Sequence, residues 1–325
     1  MINIFKASYP FQLTCIILAA LVLWSKSFLG SPPPLSAIGT ETLYCYLITN
    51  LQHFPALMSI FAFLLLIFEA LFFNLVLHEN NLISKGTFLP AFLYILLMSN
   101  TVNMLTIHPV LFANFFLILS LQKFFKCYGK EDSLTEFFGI SFYISIGSFF
   151  YFSMIYIYLF ILMGLILYRI LGWREWFISF LGLLMPYFFY FIYRFLTNKI
   201  PIIPDIYTYY IQNIKLFSLH FKLIDILFYS FLLLLIIIAV PRSILEISDK
   251  VVAARKKNYL LIYLIFFSVI LIPFSTISFD IHWGMIYLPF SAILGISLFS
   301  HKRKKMSSFL LLFLSLSIFY KLFFV

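Results

Sequence analysis

The chain has 325 residues, of which 63% are hydrophobic and only 10% charged. Soluble domains hold roughly 45–50% apolar and about 25% charged residues, so a soluble fold of this length would leave large apolar patches in water. The net charge of +10 therefore reads as Lys and Arg held in the loops of a membrane protein, and a nucleic-acid-binding role is excluded.

A helix needs about 20 apolar residues to cross a bilayer. Measured on that scale, the first span covers residues 12–28, behind Lys6, and is expected to stay uncleaved because no convincing small-x-small cleavage site follows it while many further apolar runs do. It stops at the Pro32-Pro33-Pro34 run, which opens an external loop over residues 30–55. In that loop Thr40 or Thr42 could cap a short surface helix with an apolar stripe of Leu43, Tyr46, Leu47 and Leu51. The second span covers residues 56–77 and ends in the polar turn His78-Glu79-Asn80-Asn81.

Two tight pairs of short helices follow, at 88–98 with 110–121 and at 137–146 with 149–168. Further spans fall at 176–192, 224–240, 259–274, 285–298 and 309–324, with a second external loop at 197–222. The expected fold class is all-α: a multi-pass transmembrane helical bundle of about eleven membrane segments forming one integral membrane domain over 1–325. No polar stretch reaches the ~50 residues of a domain, and no P-loop or Gly-rich nucleotide motif is present.

Charge sets the expected orientation. With the N-terminus inside, sixteen of the 22 Lys and Arg fall on the inner side, including the runs at 255–257 and 302–305. The expected location is thus a bacterial cytoplasmic (inner) membrane, N-terminus cytoplasmic and C-terminus external. The three cysteines, Cys15, Cys45 and Cys127, show neither CxxC nor Cys/His metal spacing.

Few residues are left to carry chemistry. Glu41 is the one carboxylate of the first external loop and His53 its one imidazole; an acid at the bilayer surface can take a proton from an acceptor hydroxyl. Asp280 and His282 would point the same way if their turn were extended, and could pair as an oriented base. They could also bind a divalent metal, although no metal is expected. Arg194 and Lys199 sit where a lipid phosphate would be met, and Arg suits phosphate by its bidentate fork.

Polar residues read within the membrane region include Glu69 in the second span, Asn100 and Asn103 in an expected external turn at residues 99–103 between the helices of the first short pair, and His108 just after it. An acid at Glu69 costs about 2.5–3.5 kcal/mol to insert and should face a protein interior or a cavity. It is expected between helices, protonated or paired with a tyrosine; a proton-relay role is the functional alternative.

The order of elements in residues 1–196 resembles the membrane modules of GT-C-type glycosyltransferases. One span is followed by an external loop with a surface helix and an acid, a long span, a polar turn and two short-helix pairs. The pairs read TFLPAFLYILLMSNTVNMLTIHPVLFANFFLILSLQKFF and FFGISFYISIGSFFYFSMIYIYLFILMGLILYR. The resemblance implies a GT-C-like arrangement, a polyprenyl-phosphate-linked sugar as substrate and a catalytic acid that maps only to Glu41. The loop lacks the family's paired-acid motif, which also admits a degenerate relative. The chain is also similar to an uncharacterised polytopic inner-membrane family of Bacteroidota. Membrane lipids, a lipid-linked glycan precursor or other envelope proteins are the implied partners. A scaffold subunit of an envelope-assembly machine, or a secondary transporter or flippase coupled through Glu69, are the alternatives.

Overall fold

A computed structural model describes residues 5, 8–30, 42–51, 53–83, 86–130, 133–170, 172–197, 222–275, 277–299 and 304–324. Their regular structure is entirely helical. In chain order the α-helices are α1 Tyr9–Leu29, α2 Thr42–Leu51, α3 Pro55–Glu79, α4 Leu89–Met98, α5 Pro109–Cys127 and α6 Leu134–Ser148. They continue as α7 Tyr158–Tyr168, α8 Trp173–Leu196, α9 Leu223–Ile247, α10 Val252–Ile270, α11 Phe279–Phe299 and α12 Lys304–Phe324. Helices satisfy their own backbone groups, which is what an apolar solvent demands. Proline opens α1, α3, α4 and α5, where its missing N–H costs nothing.

Seven of these helices (α1, α3, α5, α8, α9, α11 and α12) are long and apolar enough to cross a membrane. By contrast α4, with ten residues, rises only about 15 Å. The rest of its path is the irregular stretch Ser99–His108, with a 3₁₀ turn at Val102–Met104. Most of that stretch is buried. Irregular backbone at membrane depth is tolerated where protein covers it, so the expected external turn at residues 99–103 is largely an interior element. The second pair departs similarly: residues 149–168 do not form one helix but begin with a 3₁₀ segment, Phe152–Ile157, before α7.

The surface helix forms at Thr42–Leu51 with its expected apolar stripe of Leu43, Tyr46, Leu47 and Leu51 exposed or half-buried. Tyr44 and Ile48 are the buried positions of α2, while Leu43 and Tyr46 are exposed. The Tyr44 hydroxyl donates to Ile107 O at 3.1 Å, and Leu43 N to Phe149 O at 3.2 Å. These two anchors to the short-pair turns set the helix's rotation.

Helix α11 lies at the centre, packed on α4, α5, α9 and α10. Its most apolar stretch is 94% buried, whereas that of α8 is 17% buried and that of α9 28%. The open faces of α8 and α9 carry exposed Phe, Leu and Ile, as lipid-facing surface should. Close approach is bought with small residues: a Cβ on Gly182 of α8 would stand 2.5 Å from the Phe138 carbonyl of α6. Beside it the Ser141 and Ser179 hydroxyls meet at 2.7 Å, and Ser145 donates to Leu183 O at 2.7 Å. This is the small-residue packing that joins helices where no hydrophobic effect acts between them.

At the end of the bundle away from α2, Lys250 Nζ donates to Asn81 O and Leu82 O at 3.0 and 2.9 Å. Burial there pushes the Lys250 ammonium below its ordinary value. Lys257 Nζ donates to Asn80 Oδ1 at 2.7 Å. Reporter fusions after Lys85, Lys130 and Lys257 are expected to score cytoplasmic, and one after Val325 external. A periplasmic signal after Lys257 would reverse the orientation, since it would put the basic run at 255–257 outside.

Candidate functional site

Two polar clusters occupy the interior, and both converge on α11. In the first, Glu69 is fully buried and its Oε2 accepts from the Tyr94 hydroxyl at 2.7 Å. Asn114 Nδ2 donates to Tyr94 Oη and to Gly284 O, both at 3.0 Å. One contiguous set of bonds thereby ties α3, α4, α5 and α11 together. Glu69 Oε1 and Asn114 Oδ1 are buried with no hydrogen-bond partner among the described residues. Glu69 is thus the Tyr-paired clasp between helices that its position led one to expect.

In the second cluster Asn100 Nδ2 donates to Tyr287 Oη at 2.9 Å. Tyr287 is hydrogen-bonded to Tyr229, and Tyr229 donates to Asp280. Lys321 of α12 lies 2.9 Å from Asp225, with its ammonium 4.7 Å over Phe228 and 4.6 Å over Tyr229. Gly284 and Tyr287 are three residues apart, on one face of α11, so both clusters reach the same side of the central helix. Asn114, Tyr94, Tyr229 and Tyr287 were not read from the sequence. Asn114 was detectable as an amide in the apolar run FANFFLIL; the tyrosines resemble the chain's many interfacial ones.

Asp280 and His282 do not act together. They sit in the first turn of α11 rather than in an extended turn, and at 100° per residue, positions two apart face different ways. Asp280 meets Tyr229 of α9, while His282 is fully buried against Tyr151 at 2.5 Å and Ser268 O at 3.0 Å. His108 caps α5, its Nδ1 accepting from Leu111 N at 3.2 Å. Asn103 is exposed. His53 is exposed in the turn after α2, at least ten residues and about 15 Å of helix from the α2 start. Glu41 and Lys199 lie outside the described residues. Among the described residues no three His, Cys, Asp or Glu side chains group as a metal site, and the cysteines are free.

Arg194 has a setting that sequence did not reveal. Its guanidinium carbon lies 5.9 Å from the Tyr190 ring centre, and its Nε is buried without a partner among the described residues. Tyr190 packs on Phe149 at 5.4 Å, and Phe149 O holds Leu43 N at the start of α2. Phe149 therefore stands between the start of α2 and the Tyr190 on which Arg194 rests. The next residue, Phe150, stacks on Phe112 at 4.9 Å, and Phe112 meets Phe61 at 6.2 Å.

Phe61 and Phe112 in turn line an apolar groove of about 450 Å³ beneath α2. Leu47 and Leu51 of α2 and Leu57, Ile60 and Leu64 of α3 complete its walls. Leu57, Ile60, Phe61 and Leu64 are exposed, so the groove opens sideways, where a bilayer's acyl chains would lie. Phe150 thus faces this groove's wall, while its chain neighbour Phe149 packs on Tyr190, one helical turn before Arg194. No protein-family model, no curated protein and no solved structure matches this chain.

Proposed function

We propose that this chain is a membrane enzyme of GT-C-like organisation, or a degenerate relative, that handles a polyprenyl-phosphate-linked sugar or related envelope precursor at the outer leaflet. The observation that carries the reading is the sideways-opening apolar groove under α2, whose wall residue Phe112 stacks on Phe150, the chain neighbour of the Phe149 that packs on Tyr190 beside Arg194. A polyprenyl tail suits an apolar groove, and a phosphate suits an arginine with an unused N–H. In this reading Arg194 and Lys199 hold the phosphate and Glu41, just before α2, is the base. The acceptor hydroxyl gives its proton to Glu41 as its oxygen bonds to the anomeric carbon. The bond from that carbon to the phosphate oxygen breaks, and the lipid phosphate leaves with the electron pair. Asp280, His53 and His282 have no part in this step.

The test is photo-crosslinking of the full chain, in vesicles, with a polyprenyl phosphate bearing a photoreactive tail. Label is expected on α2 and α3, reduced about tenfold by Leu57→Trp or Phe61→Trp, which fill the groove. Arg194→Ala should weaken labelling by the phosphate but not by the uncharged polyprenol. Glu41→Ala should leave labelling intact and abolish sugar transfer. Labelling that ignores both tryptophans removes the ground for the reading.

A further inference from the structure

At the end of the bundle away from α2 is a second recess, of about 330 Å³, between the start of α1, the end of α3 and the turn before α4. Unlike the groove under α2, it has polar groups set into its wall. Asn74 is only 4% exposed; its Nδ2 donates to Thr87 O at 3.2 Å, which assigns the amide's orientation. The other side of that amide, Oδ1, is buried with no partner among the described residues, as is His78 Nε2. Glu79 is the one charged side chain among the described residues lining the recess, and it is exposed at its rim.

The walls are braced from behind. Gln12 Nε2 donates to Gly86 O at 2.7 Å, and its Oε1 accepts from Phe88 N at 3.0 Å. Gly86 takes φ +92, a conformation that favours glycine, and Tyr9 packs edge-on to Phe88 at 5.4 Å. An amide oxygen, a carboxylate and the ring of Tyr9 all attract a cation, and the first two also accept hydrogen bonds. Leu13, Leu71 and Leu75 form the remaining wall, and Leu75 is exposed on the flank of α3. A polar recess with one apolar side open to lipid suits a headgroup whose chains stay in the bilayer.

We propose that this recess binds the primary ammonium of an ethanolamine phospholipid, in the leaflet where α1 begins and α3 ends. Asn74 Oδ1 and the Glu79 carboxylate accept its N–H donors. A choline headgroup has no such donor and is disfavoured. The site is independent of the proposed transferase reading, because it uses other residues at the opposite end of the bundle.

Native mass spectrometry of the full chain, equilibrated with equal amounts of dioleoyl phosphatidylethanolamine and dioleoyl phosphatidylcholine, tests it. The wild type is expected to retain the ethanolamine lipid about tenfold over the choline lipid, the scale of one charge-assisted hydrogen bond. Glu79→Gln, at an exposed position that folding does not depend on, should remove most of that preference, and Asn74→Leu should lower it too. Equal retention of the two lipids by the wild type, or an unchanged preference in Glu79→Gln, overturns the site. Displacement of the lipid by free ethanolamine at the same concentration would make the ligand a soluble amine and overturn the lipid assignment.

Discussion

Glu69→Lys is expected to prevent accumulation of folded protein, whereas Glu69→Gln should fold with a loss of about 1 kcal/mol or less. The carboxyl is fully buried at mid-helix, and its one hydrogen-bond partner among the described residues is Tyr94. Glutamine keeps an acceptor for that hydroxyl and nearly the same volume. Lysine offers no acceptor and brings a cation into an interior where an uncompensated charge costs about 3–5 kcal/mol. Tyr94→Phe should fall between them, at about 1–3 kcal/mol, because it strands the Glu69 oxygen and one Asn114 bond. Membrane-inserted yield and the thermal unfolding midpoint in detergent read all three. A lysine variant as abundant and as heat-resistant as the wild type would mean that position 69 faces water.

The second large effect is expected at Gly182. Its missing Cβ leaves room for the backbone of α6: the Phe138 carbonyl oxygen would lie 2.5 Å from a Cβ, with the carbonyl carbon and Cα at 3.2 Å. Backbone inside a helix cannot swing aside as a side-chain tip can, so Gly182→Ala must push α8 away from α6. That movement stretches the Ser141–Ser179 and Ser145–Leu183 bonds together. Overpacking of this kind costs about 1–3 kcal/mol for alanine, and Gly182→Leu should exceed that range. Gly139→Ala is the matched control, because its Cβ would meet only the flexible Lys123 stem, at 3.0 Å. A lower unfolding midpoint for Gly182→Ala but not for Gly139→Ala is the expected result. Equal midpoints would show that α6 and α8 can separate without cost.

Whether residues act together was poorly legible along the chain. Asp280 and His282 looked like a pair only while their turn was treated as extended; helix α11 sends one to Tyr229 and the other to Tyr151. Arg194 was read as a cation that could meet a phosphate; its contact chain to the start of α2, through Tyr190 and Phe149, was not legible. Tyr190 lies one helical turn before Arg194, but Phe149 and Leu43 are dozens of positions away, and no local spacing encodes their contacts.

Composition and hydropathy alone determined that the chain is helical and suited to lipid, and they located its long helices, with ends off by as much as seven residues in α9 and α10. The reason is physical: hydrocarbon leaves every backbone group to be satisfied within its own segment, so the run length of apolar residues becomes a direct measure of the helix. Which helix stands at the centre was a matter for tertiary structure. By composition α9 and α11 are both apolar and of similar length, yet one is only 28% buried and the other 94%. In lipid, burial is not driven by hydrophobicity, since acyl chains are as apolar as leucine. Packing partners decide it instead, through small residues that let a neighbouring helix approach and buried polar groups that find one another. For α11 these are Gly284 and Gly295, against Val110 and Pro90, and the bonds of Asn100 and Asn114.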